Sequence, residues 1–193
     1  MEPAKQHATY QDVLDAPANM RAELIDGELY LQPRPAYPHA EAASVLGMLL
    51  GPPFRLGRGG PGGWWIVDEP ELHLGSGIYV PDLAGWRREE GSELDRRAAY
   101  QTTPPHWLCE VLSPSTRRID RLKKVPRYGE AGVAWLWIVD PESRTIEVFA
   151  QHEGSWRLEV THDGTGEASL PPFEDVAIAV GEMWVDGENP DPP

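Results

Sequence analysis

Asp82, Glu110, Asp120, Lys124 and Tyr128 are of types, and at spacings, that support acid–base or metal chemistry. Asp82 follows Val80-Pro81, and Glu110 interrupts the apolar run from Trp107 to Leu112. A carboxylate inside an otherwise buried strand is costly unless a base, a hydrogen-bond network or a metal compensates it. On that strand Leu108, Glu110 and Leu112 share one face, and Cys109 and Val111 the other. If neighbouring strands carry Asp82 and Glu110, the two carboxyls meet, and like charges that close raise each other's pKa. A hard divalent cation with oxygen ligands, Mg²⁺ or Mn²⁺, would resolve the repulsion. Asp120, Lys124 and Tyr128 recur at every fourth position and form one stripe on a helix. The stripe lets Lys124 point its ammonium at the carboxylates; its plain structural reading is a surface Asp120–Lys124 pair worth a few tenths of a kcal/mol.

The elements that must position these residues are legible on either side. The run Trp107–Leu112, the turn Ser113-Pro114-Ser115-Thr116, a polar helical stretch and the run Trp135–Val139 read as strand, helix, strand. A crossover of that length favours parallel pairing. Pro126 is expected to kink or shorten its helix. Upstream, Thr9 with Asp12 marks a short helix start that Pro17 stops. Ala22–Leu31 reads as a hairpin about Asp26-Gly27, with Glu23 and Ile25 on one side of its first strand. A helix opens at His39 and runs to about Leu50, where Gly51 and Pro52 are expected to stop it.

Strands are expected at Trp64–Val67, Glu71–Leu74 and Ile78–Asp82, the last continuing extended through Trp86, and later at Thr145–Phe149, Trp156–Val160 and Ala177–Val180. The glycine-rich segment 57–63 lacks the strand-to-helix setting and the Lys-Ser/Thr ending of a phosphate loop. Arg87–Thr103 reads as a mobile surface loop, and Asp186–Pro193 as a disordered tail. The expected architecture is α/β: a mixed sheet flanked by helices, with an N-terminal hairpin and C-terminal antiparallel strands. Residues 1–185 are expected to form one domain.

Composition narrows the setting. The chain has 40% hydrophobic and 25% charged residues, ordinary for a soluble domain. It has no apolar run long enough to span a membrane and no leader-like N-terminus. A lone cysteine, Cys109, fits a reducing cytoplasm and reads as a small buried hydrophobe. Seventeen basic against 31 acidic residues give a net charge of −14, which disfavours nonspecific attraction to nucleic acid. Between Arg117 and Arg127, however, Arg117, Arg118, Arg121, Lys123, Lys124 and Arg127 face only Asp120 in sequence.

Pro81-Asp82 followed by Glu110-Val111-Leu112 resembles the P-D…(D/E)-x-K signature of the restriction-endonuclease-like nucleases, with Leu112 in the lysine slot. More specifically, the string from Glu110 to Thr116, Asp120, Lys124, Tyr128, Ala131-Gly132-Val133 and Trp137 to Pro141 resembles the bacterial Uma-two family, formerly domain of unknown function 820. That family carries its lysine on the following helix, where Lys124 stands, and Glu23 to Glu28 and His39 match its early elements. The resemblance covers roughly residues 10–150 and implies a restriction-endonuclease-like fold and a Mg²⁺- or Mn²⁺-dependent endonuclease acting on DNA.

Asp82 and Glu110, with the Val111 carbonyl, would be metal ligands. Glu23 would complete the acidic cluster, and Lys124 would position or activate the attacking water and offset phosphate charge. His39, Ser113, Asp120 and Tyr128 would support those groups. Arg117, Arg118, Arg121, Lys123 and Arg127 would meet the DNA backbone, and the loops 57–63 and 87–103 would border its groove. A homodimer would suit a two-stranded substrate. A second reading keeps the fold without the catalysis, as a silent binder of nucleic acid or a protein partner. A third is a carboxylate-pair hydrolase acting on sugars, which leaves Lys124 idle.

Overall fold

The computed structural model describes residues 7–88 and 94–184. Among the described residues ten strands form two sheets, and the larger has the order β10-β9-β8-β7-β6-β3. Its strands are β3 (Trp64–Asp68), β6 (Leu83–Arg87), β7 (Trp107–Val111), β8 (Trp135–Asp140), β9 (Thr145–His152) and β10 (Ser155–His162). The parallel pair expected from the crossover is β7–β8, with Glu110 opposite Ile138; the other pairs are antiparallel. A smaller sheet, ordered β2-β1-β5-β4, holds the hairpin β1 (Met20–Ile25) and β2 (Glu28–Pro33) with β4 (Leu72–Leu74) and β5 (Gly77–Tyr79). The Asp26-Gly27 turn has φ of 54° and 76°, the two left-handed residues of a type I′ hairpin.

Strand alternation sorts the core onto two faces of the large sheet. Trp107, Cys109, Val111, Trp137 and Val139 pack with helix α2 (Tyr37–Leu50) and with Phe173, Val180 and Met183. Leu108, Leu112, Leu136 and Ile138 face Ile25, Leu72 and Tyr79 of the small sheet, and Tyr128 of the crossover. Glu110, between Leu108 and Leu112, therefore points into this second layer.

Several expected boundaries move. Helix α2 starts at Tyr37, before His39, and Gly51-Pro52 does not end it: a π turn, Gly51–Arg55, continues it. The expected strand Ile78–Asp82 ends at Tyr79, and Asp82 lies in the short link between β5 and β6, where Pro81 has no ladder donor to lose. Ala177–Val180 is not a strand; a single Ala168–Ile178 bridge leads into a 3₁₀ turn, Val180–Met183. Of the loop Arg87–Thr103, residues 89–93 fall outside the described residues, as does the tail Asp186–Pro193.

The crossover is a helical run in three pieces: α3 (Arg117–Ile119), a π segment (Asp120–Lys124) and α4 (Val125–Glu130). The kink expected at Pro126 is absorbed here. Pro126 stands in the first turn of α4, where no N–H is needed, and the Val125 N–H bonds back to the Asp120 carbonyl across the wider turn. An α-helical step of four residues overshoots one turn by about 40°. The wider π segment winds part of that back, so Asp120, Lys124 and Tyr128 all turn inward; they are 2%, 0% and 0% exposed.

Candidate active site

Lys124 ends in a buried acidic pocket. Its Nζ lies 2.8 Å from Glu110 Oε1, 3.1 Å from Glu23 Oε1 and 3.3 Å from Asp120 Oδ1. These carboxyls come from β7, β1 and the crossover, so one ammonium ties both sheets to the helix between them. The Asp120–Lys124 pair is thus buried rather than a solvated surface pair. Although three oxygens lie within ion-pair distance, none is aligned for a hydrogen bond with the ammonium. Lys124 is held by the converging charge of three carboxyls.

The carboxyls carry further partners. Glu23 accepts hydrogen bonds from Gln32 Nε2 at 3.0 Å and from the Val80 N–H at 2.8 Å, the latter just before Pro81-Asp82. Tyr128 donates its hydroxyl to Glu110 Oε1 at 2.6 Å. Asp82 accepts from the Val111 N–H at 2.7 Å, from His39 Nε2 at 3.0 Å and from Arg21 at 3.0 Å. In an extended strand the N–H and C=O of one residue lie on the same edge, so the Val111 carbonyl lies on the edge of β7 that carries Asp82. Ser113 stands apart from the cluster, bonding Thr116 and Ser115 in the turn that starts the crossover.

Charge balance decides the chemistry. Glu23, Asp82, Glu110 and Asp120 face two fixed cations, Arg21 and Lys124. With all four ionised, the carboxylates outnumber those two cations. Glu110 shows the consequence: burial, opposed by Lys124 and reinforced by Asp120, Asp82 and Glu23, pushes its carboxyl up to about 8. Asp82 goes the other way. Burial alone would raise it, but the hydrogen bond and charge of His39, with Arg21 and Lys124, hold it down at about 2. For Lys124 burial opposes the charge, yet Glu110, Glu23 and Asp120 outweigh it and keep the ammonium protonated far above neutrality.

The cluster approaches solvent at Asp82 and His39. A cleft of about 190 Å³ is lined by His39, Asp82, Asp68 and Glu69, and a second of about 450 Å³ by His39, Ser113, Arg117 and Trp184. His39 lies in the wall of both, and its Nδ1 is buried without a hydrogen-bond partner.

The model of a family described as "Putative restriction endonuclease", Uma2, matches residues 8–181. The chain belongs to the Uma2 family. A crystal structure described as "a putative nuclease belonging to DUF820", from Anabaena variabilis, superposes with a TM-score of 0.69 at 20% identity, covering 91% of this chain and 97% of that one. That likeness shows the restriction-endonuclease-like fold. No curated protein matches the chain.

Within this Uma2 chain, the positions singled out by sequence gather unevenly. Glu23, Glu110, Asp120, Lys124 and Tyr128 form one contact network, and Asp82 with His39 adjoins it through Val111. Four of the five outward basic side chains meet carboxylates: Arg117 meets Asp140 and Glu142, Arg121 meets Glu147, Lys123 meets Asp26, and Arg127 meets Asp26 and Glu130, while Arg118 has no ion-pair partner among the described residues.

Sequence reasoning missed Arg21. Its guanidinium joins Asp82, Gln32 and, at 3.4 Å, Glu69 at the cleft mouth. The available signal was its place two residues before Glu23, on the same strand face. Arg21→Gln is expected to lower the thermal midpoint by about 4 °C, for roughly 1.5 kcal/mol of lost charge-assisted bonding. Scanning calorimetry checks the shift; an unchanged midpoint would show that the Arg21 contacts contribute no net stability.

Proposed function

We propose that this protein is a divalent-metal-dependent endonuclease that hydrolyses phosphodiester bonds in DNA, with Asp82, Glu110 and Lys124 at its centre and Glu23 completing the acidic group. The observation that carries the reading is the convergence of the Lys124 ammonium on Glu110 and Glu23 in a buried acidic cluster beside Asp82.

The residues fit a divalent cation in kind. Asp82, Glu110 and the Val111 carbonyl are hard oxygen donors of the sort Mg²⁺ and Mn²⁺ take. As they stand, among the described residues, no three acidic, histidine or cysteine side chains converge closely enough to hold one. Lys124 and Arg21 occupy their oxygens instead, so loading requires Asp82 and Glu110 to turn from those partners. When bound, such an ion supplies a Lewis acid for the phosphate and a lowered pKa for water.

The chain's own groups divide the remaining work. Lys124, protonated at neutral pH, offsets charge on the phosphate and orients water but does not accept its proton. Tyr128 fixes the Glu110 carboxyl, and His39 with the Val111 N–H fixes Asp82. Asp120 holds Lys124 from its own helix. The substrate enters on the Asp82 side, where the cleft walls are acidic and a polyanion needs a neutralising cation. A second copy would deliver the second cut in a duplex.

Cleavage of supercoiled plasmid at low salt in Mg²⁺, Mn²⁺ or EDTA tests this reading, with Asp82→Ala beside the native chain. Nicking in the metals, none in EDTA, and a loss of at least about 10³-fold in Asp82→Ala are expected. Cleavage that survives Asp82→Ala would place the chemistry elsewhere. No cleavage, with no metal bound by calorimetry, would favour the silent binding protein.

A further inference from the structure

Six of the basic side chains without an ion-pair partner among the described residues come from two segments of the chain. Among the described residues, no carboxylate lies within ion-pair distance of Arg55, Arg58, Arg87, Arg88, Arg96 or Arg97. All six lie on the chain leaving the π turn after α2 or on the chain leaving β6.

Three of them surround one indole. The guanidinium carbons of Arg88, Arg96 and Arg55 lie 3.7, 3.9 and 6.0 Å from the Trp65 ring centroid, and that of Arg87 lies 4.6 Å from Trp64. Backbone carbonyls pin two of the three: Arg88 Nε donates to Trp64 O at 2.9 Å, and Arg55 donates to Ile66 O. Burial, and after it the neighbouring charges of Arg55 and Arg96, lower the pKa of Arg88. Stacking on a rigid indole fixes the guanidinium planes in advance, which suits recognition of phosphate oxygens. A cleft of about 330 Å³ opens there, lined by Arg55, Trp65, Arg96 and Tyr100; its one described carboxylate, Glu71, faces His73 at 2.7 Å.

The register relates this cluster to the acidic site. Trp65 pairs with Trp86, four residues along the same strand direction from Asp82, or about 13 Å. Trp65, Trp86 and Glu110 also share one face of the large sheet. That separation equals about four base-pair steps of a duplex.

We propose that the Arg55–Arg88–Arg96 cluster on Trp65 is a phosphate-backbone clamp, gripping the nucleic acid about four base pairs from the cut. The proposal rests on the nuclease reading for its substrate class. It assigns the main backbone contact to this cluster rather than to the Arg117–Arg127 stripe, whose charges mostly face carboxylates of the chain itself.

Binding of a fluorescein-labelled 20-base-pair duplex, followed by anisotropy in EDTA from 50 to 300 mM salt, tests it. The double variant Arg88→Gln/Arg96→Gln is expected to bind at least about tenfold more weakly at the lowest salt, with a slope of log K against log salt reduced by roughly two. Arg117→Gln/Arg121→Gln should change the slope by less than one. An unchanged slope in the first variant, an equal loss in the second, or no duplex binding by the native chain would overturn the clamp. Circular dichroism confirms that both variants are folded. Cleavage in Mg²⁺ and Mn²⁺, measured in parallel, reports separately on the nuclease reading: salt-sensitive binding through this cluster without cleavage would keep the clamp and sink the enzyme.

Discussion

Lys124→Met is expected to lower the midpoint of thermal unfolding by on the order of 10 °C at pH 8, for a loss of about 3–5 kcal/mol. Methionine matches the length and fills the space, so little of that loss is a cavity. What remains is Glu23, Glu110 and Asp120, each within 3.3 Å of the vanished ammonium and each at most 2% exposed. Removing one partner of a buried pair costs more than the pair contributes, because the other charge is left without solvent or counter-ion. The carboxyls would respond by holding protons more tightly, so the loss should shrink between pH 8 and pH 5. Adding Glu23→Gln and Glu110→Gln to the same chain should recover most of it. A shift under about 2 °C, or one equal at both pH values, would mean that Lys124 is not the buried counter-ion described. Cleavage should vanish in the single variant whatever the pH, since the phosphate charge is no longer offset.

Glu110→Gln should separate stability from activity. The folded chain holds the Glu110 carboxyl at about 8, against an ordinary 4.5. Between those values the folded state binds a proton that the unfolded state releases, so stability falls as pH rises through the window and the full cost is present above pH 8. Glutamine cannot ionise, yet it still accepts the Tyr128 hydroxyl. The metal-free variant should therefore unfold about 3–6 °C higher than the native chain at pH 8.5, for roughly 1–2 kcal/mol, and nearly level with it at pH 5. Its nicking activity should fall by at least about 10³-fold.

On the metal-dependent reading proposed above, the same proton would govern metal loading in the native chain. Mn²⁺ must displace it, so affinity should rise as pH climbs toward about 8, by roughly tenfold per unit below that value. Calorimetry in two buffers of different ionisation enthalpy would count the proton released. A Glu110→Gln chain that cleaves normally, or is less stable at pH 8.5, would contradict this account of the carboxyl.

Local patterning determined a good share of this molecule. Asp26-Gly27 between apolar residues forces two left-handed backbone positions, so the hairpin was legible without knowing what it packs against. The crossover from β7 to β8 was legible because two apolar runs separated by a polar helical stretch leave few ways to pair. Period-two alternation placed Glu110 on the face of Leu108 and Leu112, and period-four spacing gathered Asp120, Lys124 and Tyr128. The central string was also specific enough to resemble the family to which the chain belongs.

What the sequence could not decide is what those faces meet. Period four says that Lys124 shares a stripe with Asp120; only the stacking of the small sheet on the large one puts Glu23 3.1 Å from the same nitrogen. A π segment absorbed Pro126, because the missing N–H falls where the wider turn asks for none. Arg21 and His39 reach Asp82 from β1 and α2, elements distant in sequence whose register no local pattern encodes. The basic stripe, prominent as a run of letters, turns onto Asp140, Glu142, Glu147, Asp26 and Glu130, while arginines scattered over two loops meet around Trp65. Secondary structure follows from interactions between near neighbours, which a sequence displays. The balance of charge at a site is a sum over side chains that only the tertiary fold brings within a few ångströms of one another.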